Sequence, residues 1–241
     1  MTEKISGSAA VSSAWHDFKK NWKFIIPAVL ATIAVYVVLQ LFQSISQDSV
    51  ILMLISTIVS AIAGIAMTLA WSNISLKIIR HHHVTWNDTK TNIRSWFPYF
   101  LAQIIYGLFM LGAAIIILLA VLLYIGSAMN SAIPGMVFGI IIGISGIVLF
   151  VWLIIRYMFI SLIVIDHGSI SSWNIMKESA KLTKGYIGQL FIFGLLLVLI
   201  NIVGLILLVI GLAVTVPVSK IAKAYVYEKL KAAHHVHEIK D

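Results

Sequence analysis

Six long apolar runs, separated by short polar stretches, organise this chain: 24–43, 49–72, 97–126, 133–165, 186–203 and 205–227. A hydrocarbon core about 30 Å thick takes about 20 apolar residues per helix, so each run reads as a transmembrane helix. The third and fourth runs exceed one crossing, and their surplus turns are expected to tilt or project into the interface. The fifth and sixth form one fused stretch in which Asn201 and Gly204 mark the place for a tight hairpin. A five-span reading would move the C-terminus to the other side of the membrane. Ahead of each odd-numbered run lies a polar stretch with apolar residues at helical spacing: Trp15 and Phe18, then Trp86 and Ile93, then Trp173, Met176, Ala180 and Leu182. Each predicts an amphipathic helix on the inner leaflet. The step into the run is a base, a small turn-former and an aromatic: Lys20-Asn21-Trp22, Arg94-Ser95-Trp96 and Lys184-Gly185-Tyr186. The expectation is an all-α polytopic membrane protein of one domain over 1–241, with 228–241 a short basic, histidine-containing cytoplasmic tail. Its six helices would form three hairpins, each preceded by an interfacial amphipathic helix. The recurring step reads either as a three-unit duplication or as the common preference of cytoplasmic helix starts for a base and an aromatic.

Composition agrees with that pattern. Of 241 residues, 61% are hydrophobic and 11% charged, with mean hydropathy +1.02, against about 45–50% apolar and about 25% charged in soluble domains. This excludes an ordinary soluble enzyme, a disordered tail and a nucleic-acid module. The net charge of +8 therefore points to anionic lipid headgroups as partner. All 17 Lys and Arg fall into four clusters, 4–23, 77–94, 156–184 and 220–240, and the three remaining connections hold none; Asp48 is their only charge. With six spans, the positive-inside rule puts both termini in the cytoplasm of a bacterial inner-membrane protein. The seven Trp, at 15, 22, 71, 86, 96, 152 and 173, all fall near the cytoplasmic ends, as interfacial anchors do. The first run is expected to remain as an uncleaved anchor, being longer than a signal-peptide core and lacking a small-residue cleavage site. The absence of cysteine removes disulfides, thiolate metal sites, a cysteine nucleophile and a lipoprotein anchor.

The even runs carry small residues every fourth position: Ser60, Gly64 and Thr68 in the second, Gly135, Gly139 and Gly143 in the fourth, Gly211 and Thr215 in the sixth. Such stripes let helix backbones approach closely in lipid. They predict that spans two, four and six pack toward the centre; homodimerisation through the fourth run is the alternative. Lys20, Trp22, Arg94, Trp96, Arg156, Lys184 and Tyr186 are the candidate headgroup contacts. Arg156 is the one charge inside the fourth run, where snorkelling to phosphate competes with a substrate contact. The histidines cluster as His81–His83 and as His234, His235 and His237. Consecutive helical residues point about 100° apart, so His81–His83 cannot share one metal on a regular helix, and no cofactor is expected. A pH-dependent gain of charge is their second reading. Asn73, Gln103, Gln189 and Asn201 suit interhelical hydrogen bonds. Midplane carboxylates, the mark of ion-coupled transport, are missing. No nucleophile–base pair or phosphate-cradling glycine loop is present, and Asp166-His167-Gly168 reads as a helix end.

The downstream half carries a resemblance. Arg156-Tyr157 precedes an apolar tail ending at Asp166, then a polar helix with Ser179, the Lys184-Gly185 turn, a Gly-rich hairpin, a run with Pro217 and the end KAYVYEKL. Together with the opening AWHDFKKNWKFI, this resembles the bacterial polytopic proteins grouped with the membrane domain of glycerophosphodiester phosphodiesterases. The resemblance implies six helices and an inner-membrane location. It does not imply the phosphodiesterase activity, which belongs to a soluble domain for which no stretch outside the runs is long enough. The reading that follows is a non-enzymatic inner-membrane protein whose basic, aromatic collar binds anionic headgroups or a membrane or cytoplasmic partner, with a homo-oligomer compatible. A transporter or channel for a small or lipidic solute is the alternative, and an inner-leaflet lipid-modifying enzyme using His81–His83 or Asp166 the third.

Overall fold

The fold is described by a computed structural model over residues 6–130, 132–168 and 170–238. All regular structure among them is helical. In chain order the helices are α1 (Gly7–Ile45), α2 (Val50–Ile79), α3 (Trp96–Met129), α4 (Ile133–Arg156), α5 (Ile160–His167), α6 (Ser172–Thr183), α7 (Ile187–Ile206) and α8 (Leu208–Glu238). Five segments are long and apolar enough to cross a membrane: Gly7–Ile45, Val50–Ile79, Trp86–Met129, Ile133–His167 and Ile187–Ile206. Large apolar side chains stand exposed along them, among them Ile45, Ile58, Leu118, Phe138 and Ile192. A water-soluble chain does not leave such a surface uncovered; this is a multi-pass membrane protein.

The buried core is gathered at one end of the bundle, the end that holds most of the Lys and Arg. It is built from 10–29, 69–78, 99–102, 155–164, 175–193 and 218–230, and we call it the basic end. Here α8 is the central element, packed against α1, α2 and α7. Its basic-end half is buried on several sides, through Ile221, Ala222, Ala224, Val226, Tyr227 and Leu230.

Several expectations are corrected. The fourth run is not one helix: it breaks at Tyr157–Phe159, between α4 and α5. The break frees the Arg156 carbonyl, which accepts a hydrogen bond from Ser179 Oγ of α6 at 2.9 Å. The hairpin between the last two runs turns at Leu207 rather than at Asn201–Gly204. Asn201 stays helical and donates across to Ser219 Oγ at 3.0 Å. Of the three amphipathic helices expected, two exist. The first is the start of α1, which buries Ala10, Ala14, Asp17 and Phe18. The second is α6, which buries Ile175, Met176, Ser179 and Leu182. Both faces pack on protein. The stretch before α3 instead makes two single 3-10 turns, Trp86–Thr89 and Ile93–Ser95, because Asp88 caps the Thr85 N–H at 2.7 Å and Asn92 caps that of Arg94 at 3.0 Å.

The small-residue stripes do not converge. Gly135, Gly139 and Gly143 face α3, the hairpin partner of α4, where a Cβ on Gly139 would lie 3.0 Å from the Ala120 carbonyl oxygen. Gly211 and Thr215 lie against the α7 end, with Gly204 opposite Thr215. Ser60 accepts from Gln43 Nε2 of α1 at 2.9 Å. Gly64 has open space around its Cβ direction, and Thr68 Oγ1 donates to the Gly64 carbonyl at 2.8 Å. The expected central packing of spans two, four and six is therefore replaced by α8 held among α1, α2 and α7, with α3 and α4 paired beside it.

The end of α2 explains the first histidine cluster. His81 has φ 58°, in the left-handed region, and the N–H groups of His81 and His82 return to the carbonyls of Ile78 and Lys77 at 3.0 Å each. This is a Schellman cap with histidine where glycine is usual. The substitution His81→Gly should therefore raise the thermal stability of the purified protein by about 1 kcal/mol. An unfolding transition at or below the parent's would count against that cap.

Candidate collar and charge network at the basic end

Each base–turn–aromatic step coincides with a break in the helical chain. At the first, Asn21 leaves helical geometry (φ −109°, ψ 15°) and kinks α1, its Nδ2 donating to the Asp17 carbonyl at 3.0 Å. Lys20 and Trp22 are exposed there, Trp22 by 52%. At the second, the 3-10 turn Ile93–Ser95 delivers the chain to α3. Ser95 Oγ donates to the Gly168 carbonyl at 2.8 Å and Trp96 Nε1 to Thr91 Oγ1 at 2.9 Å, which leaves Arg94 exposed. At the third, Gly185 takes φ 85° between α6 and α7, a conformation that calls for glycine. Lys184 is exposed, but Tyr186 is only 5% exposed and packs edge-on to His234, with ring centroids 6.4 Å apart. Tyr186 thus anchors inward, unlike Trp22. Arg156 is half-buried at the end of α4, its guanidinium 5.0 Å above the Trp152 ring.

The network around Asp166, which the sequence offers only as a helix end or an enzyme's acid, was not foreseen. Asp166, at the end of α5 and with its side chain 6% exposed, meets Arg80 Nη2 at 2.6 Å, the Tyr227 hydroxyl at 2.8 Å and the Lys231 ammonium. Arg80 also meets Glu228 Oε1, at 2.6 Å from Nη2 and 2.9 Å from Nε. Burial alone would lower the Arg80 pKa; hydrogen bonds and charge from Asp166 and Glu228 outweigh it and raise it. The network clamps the ends of α2, α5 and α8 together. A smaller pair, Lys77 with Asp88, fastens the loop after α2, helped by Asn73 Nδ2 donating to the Asp88 carbonyl at 2.8 Å. The signal for Asp166 was present in the sequence only as an acid following an apolar run; its partners, 86 and 65 residues away, leave no local spacing to read.

Asp166 is thus engaged by three side chains. Its neighbour His167 pairs with Glu178 of α6 at 3.1 Å. His234 approaches the Leu182 carbonyl at 3.4 Å, while the side chains of His235 and His237, like Lys4 and Lys240, lie outside the described residues. Among the described residues no three His, Asp or Glu side chains gather as a metal ion requires. Compared with family models, curated proteins and solved structures, the chain matches none.

Proposed function

We propose that this chain is a non-enzymatic, six-span protein of the bacterial inner membrane, with both termini cytoplasmic, whose basic end binds anionic lipid headgroups. A partner protein on the same face is compatible with this reading. The sixth span is the apolar first half of α8, returning antiparallel to α7. We carry the resemblance to the membrane domain of glycerophosphodiester phosphodiesterases as part of the proposal. The observation that supports it most is the coincidence of three exposed bases, Lys20, Arg94 and Lys184, with three helix breaks at the mouths of apolar helices. A base held at a break sits at headgroup depth, where anionic lipid attracts it. The engagement of Asp166 by three side chains favours a structural over a catalytic role for the acid nearest to an active-site arrangement.

The test is the triple variant Lys20→Gln, Arg94→Gln, Lys184→Gln in liposomes containing phosphatidylglycerol. Retention of anionic lipid should fall roughly tenfold or more at low salt, and the difference should shrink as salt is added. Insertion and helicity should remain. Unaltered retention would sink the collar reading.

A further inference from the structure

We propose that the cleft between α1, α2 and α8 is a built binding site for one anionic phospholipid, with its phosphate on Lys220 and Lys223 and an acyl chain in the apolar groove below them. This rests on residues other than the collar.

Two cavities that share lining residues form the cleft. The larger, about 370 Å³, is lined by Val29, Ile33 and Tyr36 of α1, Met67 of α2, and Leu212 and Val216 of α8 among others. The smaller, about 90 Å³, is lined by Ser72 and Ser75 of α2, Ser161 of α5, and Lys220 and Lys223. Thr68, Trp71 and Lys220 belong to both. The combined space falls in the usual range for a small-ligand site, about 300–1,000 Å³.

Charge decides the ligand. Lys220 and Lys223 are half-buried, one helical turn apart. Four acids of the basic end are engaged elsewhere: Asp166 and Glu228 with Arg80, Glu178 with His167, and Asp88 with Lys77; a fifth, Asp17, is buried on α1 and forms no ion pair with either lysine. Among the described residues neither lysine has a carboxylate partner, and the Lys220 ammonium lies 5.3 Å from the centroid of the Trp71 ring. Charges withdrawn from water without a counterion are costly, and an anion between them relieves both. The serines supply room more than donors, since Ser72 Oγ and Ser75 Oγ donate to the carbonyls of Thr68 and Trp71 on their own helix, at 2.9 and 2.7 Å. Recognition falls to the two ammonium groups.

Polarity is ordered along the cleft, and this selects a lipid over a soluble anion. At 1.5 Å per residue, Lys223 sits about 6 Å, and Lys220 about 10 Å, inward of Tyr227 in the charge network. Below Lys220 the lining turns apolar, through Val216, Ala213 and Leu212. A molecule filling it has its anion toward the basic end and its hydrocarbon toward the membrane centre, which is the orientation of a phospholipid in that leaflet. Trp71 fixes the boundary, its Nε1 donating to Thr32 Oγ1 at 3.1 Å.

The test is native mass spectrometry of the purified full chain, with phosphatidylglycerol or phosphatidylcholine of the same acyl chains added to the detergent. The parent should retain one phosphatidylglycerol per chain, with phosphatidylcholine at least tenfold weaker. Lys220→Met with Lys223→Met removes charge while keeping the side-chain stems, so folding should hold, and the retained lipid should be lost. Ala213→Trp, which fills the groove and spares both lysines, should lose it as well. The collar triple variant should keep it, which separates this site from the collar. Equal retention in the double methionine variant would overturn the proposal, as would equal binding of the two lipids. Displacement by millimolar inorganic phosphate would assign the lysines to a soluble anion and overturn it too.

Discussion

Replacing Asp166 by alanine should destabilise the protein by about 2–4 kcal/mol. The carboxylate is nearly sealed from solvent, at 6% exposure, and it is the shared acceptor for Arg80, Tyr227 and Lys231. Its loss leaves Lys231 facing a cation rather than an anion, and Arg80 with Glu228 alone. Both cations keep about a third of their surface, 37% and 31%, so water softens the loss and the expected value sits below the upper end for a dry ion pair. Asp166→Asn should cost less, since the amide oxygen still accepts from Tyr227. Thermal unfolding in detergent, followed by circular dichroism, reads both. An Asp166→Ala transition coincident with the parent's would show that the three helix ends are held by packing alone.

Enlarging Gly139 should open the α3–α4 hairpin, whereas enlarging Gly64 should not harm the fold. A Cβ at Gly139 would stand 3.0 Å from three atoms: the Ala120 carbonyl oxygen, the Tyr124 nitrogen and Tyr124 Cβ. Two of these are backbone and cannot swing aside, so Gly139→Leu forces the helices apart at about 1–3 kcal/mol. At Gly64 nothing lies within 4 Å, and Gly64→Ala should add up to about 1 kcal/mol through helix propensity. The chain has no cysteine, which permits a direct reading. A Cβ on Gly143 lies 3.6 Å from Ala120 Cβ, within the about 3.5–4.5 Å a disulfide spans. The pair Ala120→Cys with Gly143→Cys should therefore crosslink on oxidation. Adding Gly139→Leu should suppress that crosslink, and adding Gly64→Ala should leave it intact. A crosslink indifferent to Gly139→Leu would refute the close contact.

The membrane-crossing character and the helix starts were legible because their causes are local. Asn21, Ser95 and Gly185 break the helical chain beside bases and aromatics that sequence reading picks out directly. The break at Tyr157–Phe159 was not legible. No proline or glycine marks it, and the Arg156 carbonyl is released there because Ser179, 23 residues on, supplies a hydroxyl. The stretch before α3 misled for a different reason. Trp86 and Ile93 sit at helical spacing, but Asp88 and Asn92 cap single turns and stop propagation. Small-residue stripes told which helix faces are smooth and not which neighbour they meet, so the fourth span's stripe was assigned to the centre when it serves its own hairpin. The clamp around Asp166 and the cleft around Lys220 and Lys223 join helices far apart in the chain. From sequence alone Asp166 reads as a helix end or a candidate catalytic acid, and Lys220 and Lys223 as part of a basic rim.

The seating of α8 between α1, α2 and α7 has a consequence for how the protein is made. The principal neighbour of the first helix is the last one, and about 160 residues separate Ile45 from Leu208. At ordinary translation speeds that interval is on the order of ten seconds or more. During it the buried stripe of α1, with Ala10, Ala14 and Ile25, is already made but without its mate. The early helices must wait beside the insertion machinery or lean on lipid and on one another. The packing of α1 is then completed in one late step, when α8 arrives. A ribosome stalled shortly before Leu208 would leave a membrane-inserted but unlocked intermediate, open to quality-control proteolysis at its basic end.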